Sequence, residues 1–166
     1  MVNRRWVIIA CFGVLAVCAA TLFFSRSEKK RIAKRLDQLA AMVSKGSGET
    51  ALRMALRVQE LPGFFDKPVR LHTQVYHMGG TMSPTEVASE IMRARAMFNT
   101  LSLDFHDVDL DITDETTARL RLTARVTGQL STREGVDEVQ ELECVLRKVD
   151  GKWRFSECRA VAVLQK

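Results

Sequence analysis

An uncharged run from Trp6 to Ser25 constrains this chain more than any other feature. About 20 apolar residues in a helix span the ~30 Å hydrocarbon core of a bilayer, and the run reaches that length. Arg4 and Arg5 bound it on one side, and Arg26, Lys29, Lys30 and Arg31 on the other. Trp6 stands at one end, where an indole suits the lipid–water interface. The residues after it then fold beside a membrane, as a single-pass protein of the cell membrane. The organisation reads as a short basic tail (1–5), a transmembrane helix (6–25), a basic juxtamembrane segment with a first amphipathic helix (26–48), and the rest of one domain (49–166).

A cleaved signal peptide is the alternative to an anchor. Signal peptides have shorter apolar cores followed by small residues at a cleavage site. Here the run continues through Leu22, Phe23 and Phe24, and only the Ala19–Ala20 region offers small residues. Cys18 follows Leu15-Ala16-Val17, without the small residue that lipidation needs directly before the cysteine. Counting Lys and Arg at the two ends of the span places the domain in the cytoplasm. A short tail, one span and a folded domain also fit an exported protein, so both orientations stay open.

The net charge of +5 suggests nucleic acid until it is divided along the chain. Residues 1–35 carry eight basic side chains and one acid, Glu28, whereas the remainder carries 17 basic and 19 acidic ones. The basic excess sits where anionic lipid attracts it, at ~1 kcal/mol per residue. The domain itself has no such excess, which argues against a nucleic-acid partner. Candidate partners are the lipid bilayer, a second copy of the chain through the sheet face, and a small apolar ligand or protein segment. No cofactor is expected.

Periodicity gives the elements. A helix over 28–45 places Ile32, Leu36, Leu39 and Val43 on one stripe. After Gly46-Ser47-Gly48, a second helix from about Glu49 to Glu60 puts Leu52, Ala55, Leu56 and Gln59 on one side. A strand follows from about Val69 to Tyr76, then a loop at Gly79–Gly80. Ser83-Pro84-Thr85-Glu86 is a capping box with proline at the first helical position. It opens a third helix with the stripe Val87, Ile91, Ala94 and Phe98, ending near Asn99.

Four strands complete the chain. In Leu101–Ile112 the apolar positions switch from odd to even, which predicts a β-bulge at His106–Asp107. The next strand alternates, with Ala118, Leu120, Leu122, Ala124 and Val126 inward. A loop at Gly128–Gly135 leads to Val136–Lys148, and an Asp150–Gly151 turn leads to Trp153–Leu164. A two-residue turn there sets Cys144 opposite Glu157 and Cys158 opposite Glu143, with the two sulfurs on opposite faces.

This order of elements resembles the nuclear transport factor 2-like (cystatin-like cone) superfamily. The closing segment Leu142–Phe155, with its Asp150-Gly151-Lys152-Trp153 turn, looks like that family's final hairpin, and Phe64-Phe65-Asp66 before the first strand is also similar. The resemblance covers residues 28–166 and carries no catalytic motif. It implies an α+β fold of three helices on a strongly curved antiparallel β-sheet, behind the transmembrane helix, with an apolar cavity between sheet and helices.

Few residues suggest chemistry. Asp107, Asp109 and Asp111 share a strand face about 7 Å apart, as a calcium site would. Asp111 opposite Arg119, Asp109 opposite Arg121 and Arg121 facing Glu143 make an exposed ion-pair lattice the better reading, and arginines there repel a metal. Of His72, His77 and His106, His106 is the candidate for a ligand-binding or chemical role, because bulges re-aim side chains beside active sites. Ketosteroid isomerase-like chemistry needs a pocket acid and a tyrosine donor, and Tyr76 falls on the face opposite Leu71 and Val75. Met42, Met54, Met78, Met82, Met92 and Met97 read as core filler, with an adaptable cavity lining as the alternative. The chain therefore reads as a membrane-anchored, non-catalytic module for ligand binding or protein assembly. An isomerase or dehydratase using the cone cavity, or a structural subunit of an envelope complex, are the alternatives.

Overall fold

The structure is a computed structural model that describes residues 26–72 and 79–161. The Trp6–Ser25 run lies outside the described residues, as do Thr73–Met78, with Tyr76 and His77 among them. No helix among the described residues is long and apolar enough to cross a membrane.

Helix α1 occupies 26–43. Of its stripe, Ile32, Leu36 and Leu39 are buried, as the periodicity predicts, and Val43 is half-buried. Helix α2 (Ala51–Glu60) follows, then a 3₁₀ turn (Leu61–Phe64) and strand β1 (Phe65–His72). Gly79–Gly80 is not a loop: the segment Gly79–Met82 forms a short strand, β2, that pairs antiparallel with β1. Helix α3 (Pro84–Ala96) starts on the expected capping box, in which Ser83 Oγ accepts from Glu86 N and the Glu86 carboxylate accepts from Ser83 N.

Strands β3 (Phe98–Ile112), β4 (Thr117–Leu130), β5 (Gly135–Val149) and β6 (Lys152–Val161) form an antiparallel meander. The sheet has six strands, one more than the sequence suggests, in the order β2-β1-β6-β5-β4-β3. It departs from a purely antiparallel sheet only where β1 runs parallel to β6. The core is α1 laid into the sheet's inner face, against Leu120, Leu122, Leu146, Trp153 and Phe155.

The bulge falls where the parity switch requires it. The β3–β4 register shifts between His106 and Asp109, and Asp107 adopts φ 51. Beyond it, Asp109 faces Arg121 and Asp111 faces Arg119, as expected. At the other end of this pair, Gly128 sits so close to β3 that a Cβ would stand 2.3 Å from Thr100 O. Only glycine fits there.

Three further expectations fail for identifiable reasons. Cys144 lies opposite Cys158, not Glu157. The Asp150–Gly151 turn is the predicted two-residue one, but the register slips by one between Val145 and Leu146, so Ser156 is the extra residue. A bulge reverses strand parity, so the two thiols are cross-strand neighbours rather than on opposite faces. Both are free, and their mutual hydrogen bond, with burial, pushes the Cys158 thiol up.

Helix α2 does not bury its apolar stripe: Leu52 is 72% exposed and Leu56 50%. Its fixing point is polar. Arg57 Nη1 donates to Met42 O at 2.8 Å, to Ser44 O at 2.9 Å and to Ala41 O. These are carbonyls at the C-terminus of α1, which lack partners within their own helix and carry its negative dipole end. Helix α3, finally, ends at Ala96 rather than near Asn99, and its buried side chain in the last turn is Arg95, not Ala94. Glu49 Oε2 at 2.7 Å and Ser44 O at 3.1 Å hold the Arg95 guanidinium inside.

Candidate functional site

Apolar side chains of α1 and the sheet form the core on the inner face, and two buried charged side chains, Glu28 and Arg95, reach into it. Glu28, in the first turn of α1, is 2% exposed. Its carboxylate accepts from Trp153 Nε1 at 2.7 Å and pairs with Lys148 Nζ at 3.0 Å and Arg31 Nη1 at 3.1 Å. Burial pushes this carboxyl up, but the Trp153 and Lys148 hydrogen bonds and the Lys148 and Arg31 charges outweigh it, leaving Glu28 below the usual carboxylate range. Arg95 is lowered by burial, against the opposing pull of Glu49. These groups clamp α1 to the β5–β6 hairpin and the end of α1 to α3.

A second kind of site opens outside the cone. A groove of about 740 Å³ runs between α1, α2, the Leu61–Phe64 turn and the start of β6. Its floor includes Met42, Leu56 and Phe64, and its walls carry Arg35, Arg57 and Arg154. Arg35 stacks over the Phe64 ring, 3.6 Å from the ring centroid, and donates from Nη2 to Gly63 O. Burial lowers its pKa, and the nearby Arg154 charge lowers it further. Arg154 reaches Asp150 only at 3.9 Å. The Nε groups of both Arg35 and Arg154 are buried without a hydrogen-bond partner among the described residues. Gly63 and Arg154 also line an adjoining groove of about 680 Å³, walled by Pro68, Met82 and Pro84.

His106 joins neither groove. It stands exposed on β3 opposite Thr123, on the polar side of the sheet where strand alternation puts it. His72 ends β1 and is also exposed. Of the aspartate row, Asp107 accepts from Thr123 Oγ1 at 3.4 Å. The ion pairs on that face centre instead on Glu143, which holds Arg121 at 2.9 Å and also Arg159. The groove arginines carry no sequence motif. The one available signal was Arg35 beside the apolar stripe of α1, one residue before Leu36.

No protein-family model matches the chain, and no curated protein matches it. Solved structures do. The Kfla4162 protein from Kribbella flavida superposes with a TM-score of 0.68 at 14% identity, over 86% of this chain and 95% of that one. A candidate scytalone dehydratase from Novosphingobium aromaticivorans gives 0.66 at 16% identity, over 85% and 89% of the two chains. A candidate calcium/calmodulin-dependent protein kinase II association domain from Xanthomonas campestris gives 0.63 at 13% identity, over 81% and 87%. At such identities the likeness shows the fold alone, and that fold is the nuclear transport factor 2-like α+β cone.

Proposed function

We propose that this chain is a membrane-tethered, non-catalytic binding module. The Trp6–Ser25 run supplies the tether, and α1 leads from it directly into the domain. The observation that carries the reading is the clamp on Glu28, three residues beyond the run. A buried carboxylate held by Trp153 and Lys148 fixes the first turn of α1 to the sheet. A domain seated that close to a tether has little freedom of its own, and confinement to the membrane raises its effective concentration toward partners there.

The buried charges on the inner face favour binding over catalysis. Acid–base chemistry needs a titratable group within hydrogen-bond reach of a bound substrate, and Glu28 and Arg95 are both engaged in structural pairs. An isomerase or dehydratase is the competing reading, favoured by the likeness to the candidate scytalone dehydratase. Purifying the full-length chain from its membrane and identifying co-purified small molecules separates the two. The binding reading expects a compound that is returned unchanged after incubation with fresh protein. Turnover of that compound into a product would refute it.

A further inference from the structure

We propose that the groove between α1, α2 and β6 binds an anionic amphiphile, with its phosphate or carboxylate between Arg35 and Arg154 and its apolar body along Met42 and Leu56. The proposal rests on the binding-module reading and names the ligand chemistry of one site on that module.

Five basic side chains, Arg35, Arg53, Arg57, Lys152 and Arg154, line the groove against one acid, Glu60. Arg57 is committed to Glu49 and to the end of α1. Arg35 donates to Gly63 O and stacks over Phe64, and Arg154 reaches the exposed Asp150 at 3.9 Å, so neither is held against a buried carboxylate. Two guanidinium groups line one wall of the groove, and the charge of Arg154 disfavours that of Arg35. The planar fork of arginine matches a phosphate or carboxylate. One anion placed between them in the groove would screen that repulsion.

The apolar half comes from the same groove. Leu56 is 50% exposed along this groove, and Met42 adds a deformable thioether. A bare inorganic anion would leave that surface wet, whereas an alkyl chain would cover it. Arg35 stands about 13 Å along α1 from Arg26, at 1.5 Å per residue, so an anion there is within a short reach of the lipid surface the tether implies.

The test uses full-length chain in a neutral maltoside detergent, titrated with hexyl phosphate, inorganic phosphate and 1-hexanol by calorimetry. The expected order is hexyl phosphate tightest, inorganic phosphate weaker, and hexanol weakest. Arg35→Gln and Arg154→Gln should each weaken hexyl phosphate by about tenfold or more, the loss expected for one charge-assisted hydrogen bond. Leu56→Ala should weaken hexyl phosphate and leave inorganic phosphate unchanged. Thermal melts without ligand confirm that each variant folds. Hexyl phosphate that fails to bind, binds no better than hexanol, or binds folded Arg154→Gln as it binds wild type would overturn the proposal.

Phosphatidylcholine vesicles with and without phosphatidic acid then identify the source. Competition by the acidic lipid assigns the anion to a membrane lipid, and undiminished hexyl phosphate binding assigns it to a soluble compound. A groove that fails while the chain stays in the membrane would remove this site alone. Hexyl phosphate binding by a chain found free of the membrane would instead remove the tether.

Discussion

Replacing Glu28 by glutamine isolates the clamp between α1 and the β5–β6 hairpin. Glutamine keeps the shape and an oxygen that can still accept from Trp153 Nε1. What it loses is the charge facing Lys148 at 3.0 Å and Arg31 at 3.1 Å. Arg31 is 61% exposed, so solvent screens that pair and its contribution is small. Lys148 is only 17% exposed, and a hydrogen bond to a charged group in such a setting contributes ~1.5–3 kcal/mol. Leaving a charge fully buried and uncompensated costs ~3–5 kcal/mol, and Lys148 falls short of that because solvent still reaches it.

The expected loss for Glu28→Gln is therefore about 2–3 kcal/mol. For a chain of this size that corresponds to roughly 4–12 °C in Tm. Near-ultraviolet circular dichroism of the full-length chain, followed during heating, measures it. The pH dependence supplies a second check with a definite sign. The folded pKa of Glu28 lies below its unfolded value of 4.5, so the folded state favours the ionised form. Its stabilisation is complete above pH 4.5 and is lost as pH falls through the lower folded value. The gap between wild type and Glu28→Gln should be constant near neutrality and close under acid. Equal melting temperatures at neutral pH, or a gap that widens in acid, would refute the clamp.

Other substitutions test other parts of the fold. Gly128→Ala drives a Cβ against Thr100 O, and chemical denaturation should show a loss of at least about 1–3 kcal/mol. Ser83→Ala removes the α3 cap and should cost about 1 kcal/mol in the same assay, whereas Ser83→Thr should keep most of it. Leu36→Ala should cost about 2–5 kcal/mol, but Leu52→Ala, at a position 72% exposed, less than about 0.5 kcal/mol. Comparable losses at these two leucines would mean that α2 buries its apolar face after all.

What the sequence revealed follows the range of each interaction. The capping box, the β4 alternation and the Asp150–Gly151 turn are local patterns, and each appears where expected. The bulge at His106–Asp107 was legible because apolar residues flank it on both sides and expose the change of parity. Ser156 makes a similar shift in β6 without such a signal. Trp153, Phe155 and Ser156 are all buried, so the pattern there never declares which residue is extra, and the facing of Cys144 and Cys158 stayed hidden.

Helix α2 and Arg95 show a second limit. Periodicity assumes that a helix docks through its apolar stripe, whereas α2 docks through Arg57 on the carbonyls of α1. Nor does the spacing within α3 announce that Arg95 is buried, because its partner Glu49 comes from a separate segment. The groove was illegible for the same reason. Arg35, Leu56, Phe64 and Arg154 lie on four separate segments and become neighbours only when α1 and the hairpin are clamped together.

Membrane tethering turns on the state of the first 25 residues in the cell. Membranes from cells expressing the full-length chain should be washed with alkaline carbonate and the protein's intact mass measured in each fraction. A tethered chain keeps residues 1–25 and remains in the washed membrane pellet. A chain released by the wash, or a mature form lacking that segment, would contradict the tether.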